Sequence, residues 1–119
     1  LILSVDDPIE QLKKLLAHLI EKWTTYPKHA LFMRAALENA SEIAPVGIAY
    51  SQKRAEVVVA LYERLLSSGQ IKMLSQNLLI SWTAGGIMNN LMFHAKNGTT
   101  PDQVEIDQMI ELSIDAIKK

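Results

Sequence analysis

Apolar residues recur at three- and four-residue spacing along nearly the whole chain, and no stretch alternates as a strand would. The first predicted helix opens at Asp7-Pro8-Ile9-Glu10. There Asp7 suits the cap, Pro8 the first helical position, and Glu10 completes a capping box. Ile9, Leu12, Leu16, Leu19, Ile20 and Trp23 form its apolar face, with Glu10 and Lys14 four apart on the polar side. Tyr26-Pro27 closes it, because a residue before proline avoids the helical region. A second helix is predicted from about Pro27 to Ala44, with Ala30, Met33, Leu37, Ala40 and Ala44 inward and Phe32 and Ala36 widening the stripe. Arg34 and Glu38 form an exposed pair on it, and Pro45 and Gly47 then break the chain. The third runs from about Ile48 to Ser67 and repeats Ala55, Val59, Tyr62 and Leu66 on one face, flanked by Val58 and Leu65. Gly69 is its stop. The fourth spans about Leu74 to Lys96 and ends at Asn97-Gly98. The fifth starts at Thr100-Pro101-Asp102-Gln103, with Thr100 as cap and Gln103 reaching back, and runs to the chain end. Short connections between such helices favour antiparallel neighbours, so the pattern predicts an all-α antiparallel bundle of about five helices.

The fourth helix does not fit a simple amphipathic scheme. Ile80, Ala84, Ile87 and Leu91 lie on one face, Trp82, Gly86, Asn89 and Phe93 on a second, and Gly85, Met88 and Met92 on a third. A helix apolar on every side is buried on every side. Two adjacent glycines in its middle each cost about 1 kcal/mol against alanine, so their small size needs a use. The fifth helix also has a broad apolar arc of Ile106, Met109, Ile110, Ile114 and Ile117. A simple resolution is that Gly85, Gly86 and this arc meet their copies in a second subunit, giving an intersubunit four-helix bundle about a two-fold axis. Tight packing inside one chain, or a kink, is the competing reading of the glycines. Asn89 and Asn90 need partners wherever they are buried, across an interface, on a neighbouring helix or in a cavity.

Composition narrows the function classes. The 119 residues suit one domain and carry a net charge of −1, with twelve basic residues spread among thirteen acids. Phosphate binding needs clustered Lys and Arg, so this chain is not itself a DNA reader. It has no cysteine, which excludes a disulfide framework and a thiolate metal site and fits a cytoplasmic setting. Leu78 to Ala95 is long enough to span a bilayer but holds Ser81, Thr83, Asn89, Asn90 and His94, which argues against a membrane role. Opening on Leu1, the chain reads as part of something longer.

No catalytic or metal constellation emerges. His18, His29 and His94 pair with no acid or second histidine at a metal-binding spacing, and no nucleophile elbow or phosphate loop is present. The reading is therefore non-enzymatic, without cofactor or metal. What does stand out is a supply of soft and aromatic side chains on four helices: Trp23, Phe32, Met33, Tyr62, Trp82, Met88, Met92 and Phe93. Pockets between bundle helices are built from such residues, and so are ordinary cores.

The run DPIEQLKKLLAHLIEKWTTYPKHALFMRAALENA resembles the opening of the regulatory domain of tetracycline-repressor (TetR) family transcription regulators. Tyr26-Pro27 fills the junction between its first helices, and Arg34 and Glu38 the later positions. LYERLLSSGQIK, with Gly69 and Ile71, and SWTAGGIMNNLMFHAKNG followed by TPDQVEIDQMIELSIDAIKK resemble later segments of that domain; Gly86 matches its mid-helix glycine. Each motif is weak alone, and their order and spacing carry the resemblance. It implies a domain that binds a small effector among its first four helices and forms a homodimer through the last two. It also implies contact with DNA only through an N-terminal helix-turn-helix domain that this chain lacks. The resulting assignment of a mostly apolar effector site is Trp23, Phe32, Met33, Tyr62, Trp82, Met88, Asn89 and Phe93, with Tyr62 and Asn89 as polar anchors. The rival from another class is a helical scaffold or adaptor with a solid core and no ligand; a small helical enzyme is a third.

Overall fold

The computed structural model describes residues 7–25 and 56–119. The expected second helix, with Phe32, Met33, Arg34 and Glu38, lies outside the described residues, as does His29. Helix α1 is Pro8–Thr25. Residues 56–68 are helical and form α2. A further helical run comprises α3 (Gln76–Ile80), a π turn (Ser81–Gly85) and α4 (Gly86–Asn97), and is followed by α5 (Gln103–Ile117). The described residues hold no strand; Ile71 and Lys118 form an isolated antiparallel bridge. None of their helices is long and apolar enough to cross a membrane.

Each helix begins where its chemistry allows. Asp7 caps α1 by accepting from the Ile9 N–H at 3.1 Å. Glu10 does not close the capping box but pairs with Lys13 at 3.3 Å rather than with Lys14. Ser75 caps α3 by accepting from the Leu78 N–H. The cap of α5 is Asp102, not Thr100, and it accepts from the Glu105 N–H at 2.8 Å. Gln103 points forward to Asp107 at 2.9 Å. Gly69 and Gly98 take left-handed φ values of 71° and 67°, which end α2 and α4 without a Cβ clash.

The core is assembled from α1 (Leu12, Leu16, Ile20 and Trp23), α2 (Leu61 and Leu65), Ile71, and the later helices through Leu79, Ile87, Leu91, Ile114 and Ile117. Each such side chain stabilises by about 1.5–3 kcal/mol when fully buried. Helix α1 packs on the π turn, α4 and α5. The inward face of α2 differs from the expected one: Leu61 and Leu65 are buried, while Val59 is exposed. The end of α5 is latched to the turn after α2. Lys72 N–H donates to Ile117 O at 2.8 Å, and Lys119 N–H donates to Gln70 O at 3.0 Å.

The π turn resolves the odd pattern of the glycine-bearing helix. Its buried positions are Leu79, Thr83, Ile87 and Leu91, every fourth residue. In a regular α-helix each four-residue step overshoots one turn by about 40°, so this stripe would spiral off the core. A wider turn in the middle brings Thr83 and Ile87 back into line. Thr83 satisfies its own buried hydroxyl by donating to Leu79 O at 2.6 Å. A Cβ on Gly85 would stand 3.2 Å from Ile80 O, the crowding expected where the helix is re-wound. A Cβ on Gly86 would meet nothing within 4 Å. The two neighbouring glycines therefore differ: the first belongs to the turn, and the second has no packing reason among the described residues.

Candidate functional site

A cavity of about 420 Å³ lies between α1, α2 and the turn that re-winds the fourth predicted helix. Helix α1 gives it Leu12, Leu15, Leu16 and Leu19, with His18 and Lys22 at one edge. Val57, Val58 and Leu61 of α2 form the opposite wall. Leu79, Ile80, Thr83 and Ala84 close it. The i, i+3, i+4 spacing of leucines on α1 exceeds what the core consumes: Leu12 and Leu16 are buried, whereas Leu15 and Leu19 are half-buried and line the space. An apolar hollow with a few polar groups, within the usual range of about 300–1,000 Å³, suits a small organic guest.

The expected pocket residues that are described lie as follows, Phe32 and Met33 being outside the described residues. Trp23 is buried in the core. Tyr62 is half-buried and donates its hydroxyl to Leu74 O at 2.6 Å, which fixes the connection between α2 and α3. Met88 packs against the core, Asn89 is exposed, and Trp82 and Phe93 are 64% and 65% exposed. Trp82 borders a second recess of about 300 Å³ with Lys72, Leu74, Leu78 and Ala116. None of these lines the larger cavity. The aromatic content of the sequence drew attention, while the aliphatic wall (leucines and valines at ordinary core spacing) carried no sign of its own.

The outer side of the same helical run is apolar and unpaired. Leu78, Trp82, Gly86, Asn89 and Phe93 follow one another at three- and four-residue steps, all exposed. Val104 and Leu112 of α5 add exposures of 66% and 68%. Of the residues expected at a dimer contact, Gly86 is exposed, and Gly85, Ile106, Met109 and Ile110 are half-buried, the last three against the chain's own core. Ile114 and Ile117 are 4% and 0% exposed, their surface being consumed within the chain. The arc on α5 turns inward toward its C-terminal end, where Ile114 and Ile117 join Ile71 in the buried core cluster.

A polar cluster joins α4 to α5. Glu105 accepts from His94 Nε2 at 2.7 Å and from the Asn90 amide at 2.8 Å, and His94 Nδ1 meets the Thr99 hydroxyl at 2.7 Å. The hydrogen bonds from His94 and then Asn90 hold the Glu105 carboxyl below its usual range. The separation of eleven positions between His94 and Glu105 hid the pair from any reading by helical spacing. A second polar link ties α1 to α2, where the Arg64 guanidinium donates to the buried Gln11 side chain. Among the described residues no group of three or more His, Asp or Glu could hold a metal ion.

No family model, curated protein or solved structure matches the chain.

Proposed function

We propose that this chain is the regulatory domain of a TetR-like transcription regulator. It takes a small, mostly apolar effector between α1, α2 and the π turn. It forms a homodimer through the exposed face of α4 and α5 and passes the binding event to a DNA-reading domain outside this chain. The activity is binding, not catalysis, and its expected setting is the cytoplasm. The observation that carries the reading is the aliphatic cavity of about 420 Å³, where a scaffold would have a filled core. The ordered series of TetR-like motifs supports the same conclusion. So does the outer stripe of Leu78, Trp82 and Phe93, too apolar to be left in water without a partner.

The π turn gives the two faces a common part. Thr83 and Ala84 line the cavity, and Trp82, between Ser81 and Thr83, points outward. A guest that binds one arrangement of this turn more tightly than another shifts the population of the outer face by that difference in affinity. Titration with the neutral apolar dye N-phenyl-1-naphthylamine tests the site. The dye brightens on entering the chain, and Ala84→Phe, which places a ring in the cavity, weakens it about tenfold or more while the helical circular-dichroism spectrum stays. Dye binding that is absent, or unchanged in the folded variant, overturns the assignment of the cavity.

A further inference from the structure

We infer that the second recess, bordered by Lys72 and Trp82, is a binding site for a small aromatic carboxylate, separate from the larger cavity and independent of its assignment. The recess measures about 300 Å³, at the small end of the range for ligand sites. Its described lining combines an aromatic ring, aliphatic walls and one cation: Trp82, then Leu74, Leu78 and Ala116, then Lys72. Two of these residues are anchored. The Tyr62 hydroxyl holds Leu74 by its carbonyl. Lys72 is fixed twice, its main-chain N–H donating to Ile117 O at 2.8 Å and its ammonium to Ala116 O at 3.2 Å.

The bond to Ala116 decides what Lys72 can offer. An ammonium has three N–H donors, and a carbonyl takes one of them without neutralising the charge. Among the described residues Lys72 forms no ion pair. Its charge is thus pinned at the rim with donors to spare. Lys118, bridged to Ile71, and Lys119, bonded through its N–H to Gln70 O, bring two more exposed lysines to the same corner. Asp115, the described acid adjacent to Ala116, is exposed and outside the described lining. Trp82 is 64% exposed, which leaves ring surface open to a guest. An aromatic ring therefore packs on the indole in an offset or edge-on manner, while its carboxylate takes a charge-assisted hydrogen bond from Lys72. An aromatic amine meets a like charge. An aromatic alcohol gains the ring contact alone.

Titration of the isotope-labelled whole chain with 1-naphthoate, 1-naphthalenemethanol and 1-naphthylmethylamine, followed by the indole N–H resonances in a proton–nitrogen spectrum, tests this. The chain has two tryptophans, so Trp82→Phe assigns both signals. All probes meet the same sample, so self-association through Trp82 weighs equally on each. Naphthoate moves the Trp82 signal and leaves that of the buried Trp23 in place. It binds about fivefold more tightly than the alcohol, near the upper worth of an exposed ion pair, and the amine binds most weakly. Lys72→Gln brings naphthoate to the level of the alcohol and changes the alcohol less than about twofold, whereas Lys72→Arg retains the preference. High salt narrows the same gap in the unaltered protein. Equal affinity for the three probes, or a Lys72→Gln loss of the same size for naphthoate and alcohol, shows that Lys72 only caps the end of α5 and overturns the inference. Movement confined to the methyl signals of Leu15 and Val58 places the probe in the larger cavity and overturns it as well.

Discussion

His94 Nε2 lies 2.7 Å from Glu105 Oε2 and fastens the last turn of α4 to the first turn of α5 across the Gly98 corner. A carboxylate only accepts, so the imidazole Nε2 carries the shared proton. The Thr99 hydroxyl contacts the other ring nitrogen and sets the ring plane.

This pair makes stability fall in acid. Glu105 is held below the 4.5 of a free side chain, by His94 first and Asn90 second. A carboxyl lowered on folding stabilises the native state above its unfolded pKa, and that contribution is lost as pH falls through the lower folded value. Melting Glu105→Gln beside the unaltered chain at neutral pH and again near pH 3 checks it. The variant is the less stable of the two at neutral pH, and the gap narrows in acid. A gap that stays constant with pH would show that the carboxylate is not held by these donors.

The adjacent glycines respond differently to the same change. Gly86→Ala adds a methyl into open space and raises helix stability by up to about 1 kcal/mol. Gly85→Ala gains the same propensity but brings its Cβ to 3.2 Å from the Ile80 carbonyl, so it falls short of its neighbour by about 1 kcal/mol. Urea denaturation at low protein concentration measures both. Equal gains at the two positions would mean that the turn relaxes without cost.

Self-association is expected to run through the exposed stripe. Phe93→Asp and Gly86→Leu leave the helical content intact and shift sedimentation from dimer to monomer. The first places a charge and the second a branched side chain on the face that carries Trp82. Ile114→Asp, in contrast, disrupts the fold itself, because that side chain is 4% exposed. Velocity runs showing an intact Phe93→Asp or Gly86→Leu dimer count against this face as the contact.

Two substitutions calibrate the core and the caps. Leu16→Ala, at a position 1% exposed on the packed side of α1, costs about 2–5 kcal/mol. Asp102→Ala removes the cap on the Glu105 N–H and costs about 1 kcal/mol. Chemical denaturation reads both, and a Leu16→Ala loss below the smaller figure would indicate that the cavity beside it collapses to fill the space.

Much of the helical frame could be read from periodicity. The start of α1 at Asp7-Pro8, the stops at Gly69 and Gly98, and the buried Leu12, Leu16, Ile20 and Ile87 all follow from spacing and turn chemistry. The π turn could not be read, because hydrophobic spacing was judged against a uniform turn. The buried Thr83, four residues from both Leu79 and Ile87, was the available clue. The cavity was hidden for a related reason. Leu15 and Leu19 look like core leucines, and only the three-dimensional arrangement shows that they and Val58 line a cavity. The outward direction of Trp82 and Phe93 was not legible either, since aromatic character says nothing of which way a side chain faces.

The bridge between Ile71 and Lys118 sets how this chain can deform. The two main-chain bonds at Gln70 and Lys72 pin the far end of α2 to the terminus of α5, whereas Val57, Val58 and Leu61 sit at the opposite end, against the hollow. Sliding of α2 along its axis would tear both bonds. Swinging about them tears neither. Widening of the hollow would therefore come by pivoting, with the pinned corner as fulcrum and the valine end as the travelling arm.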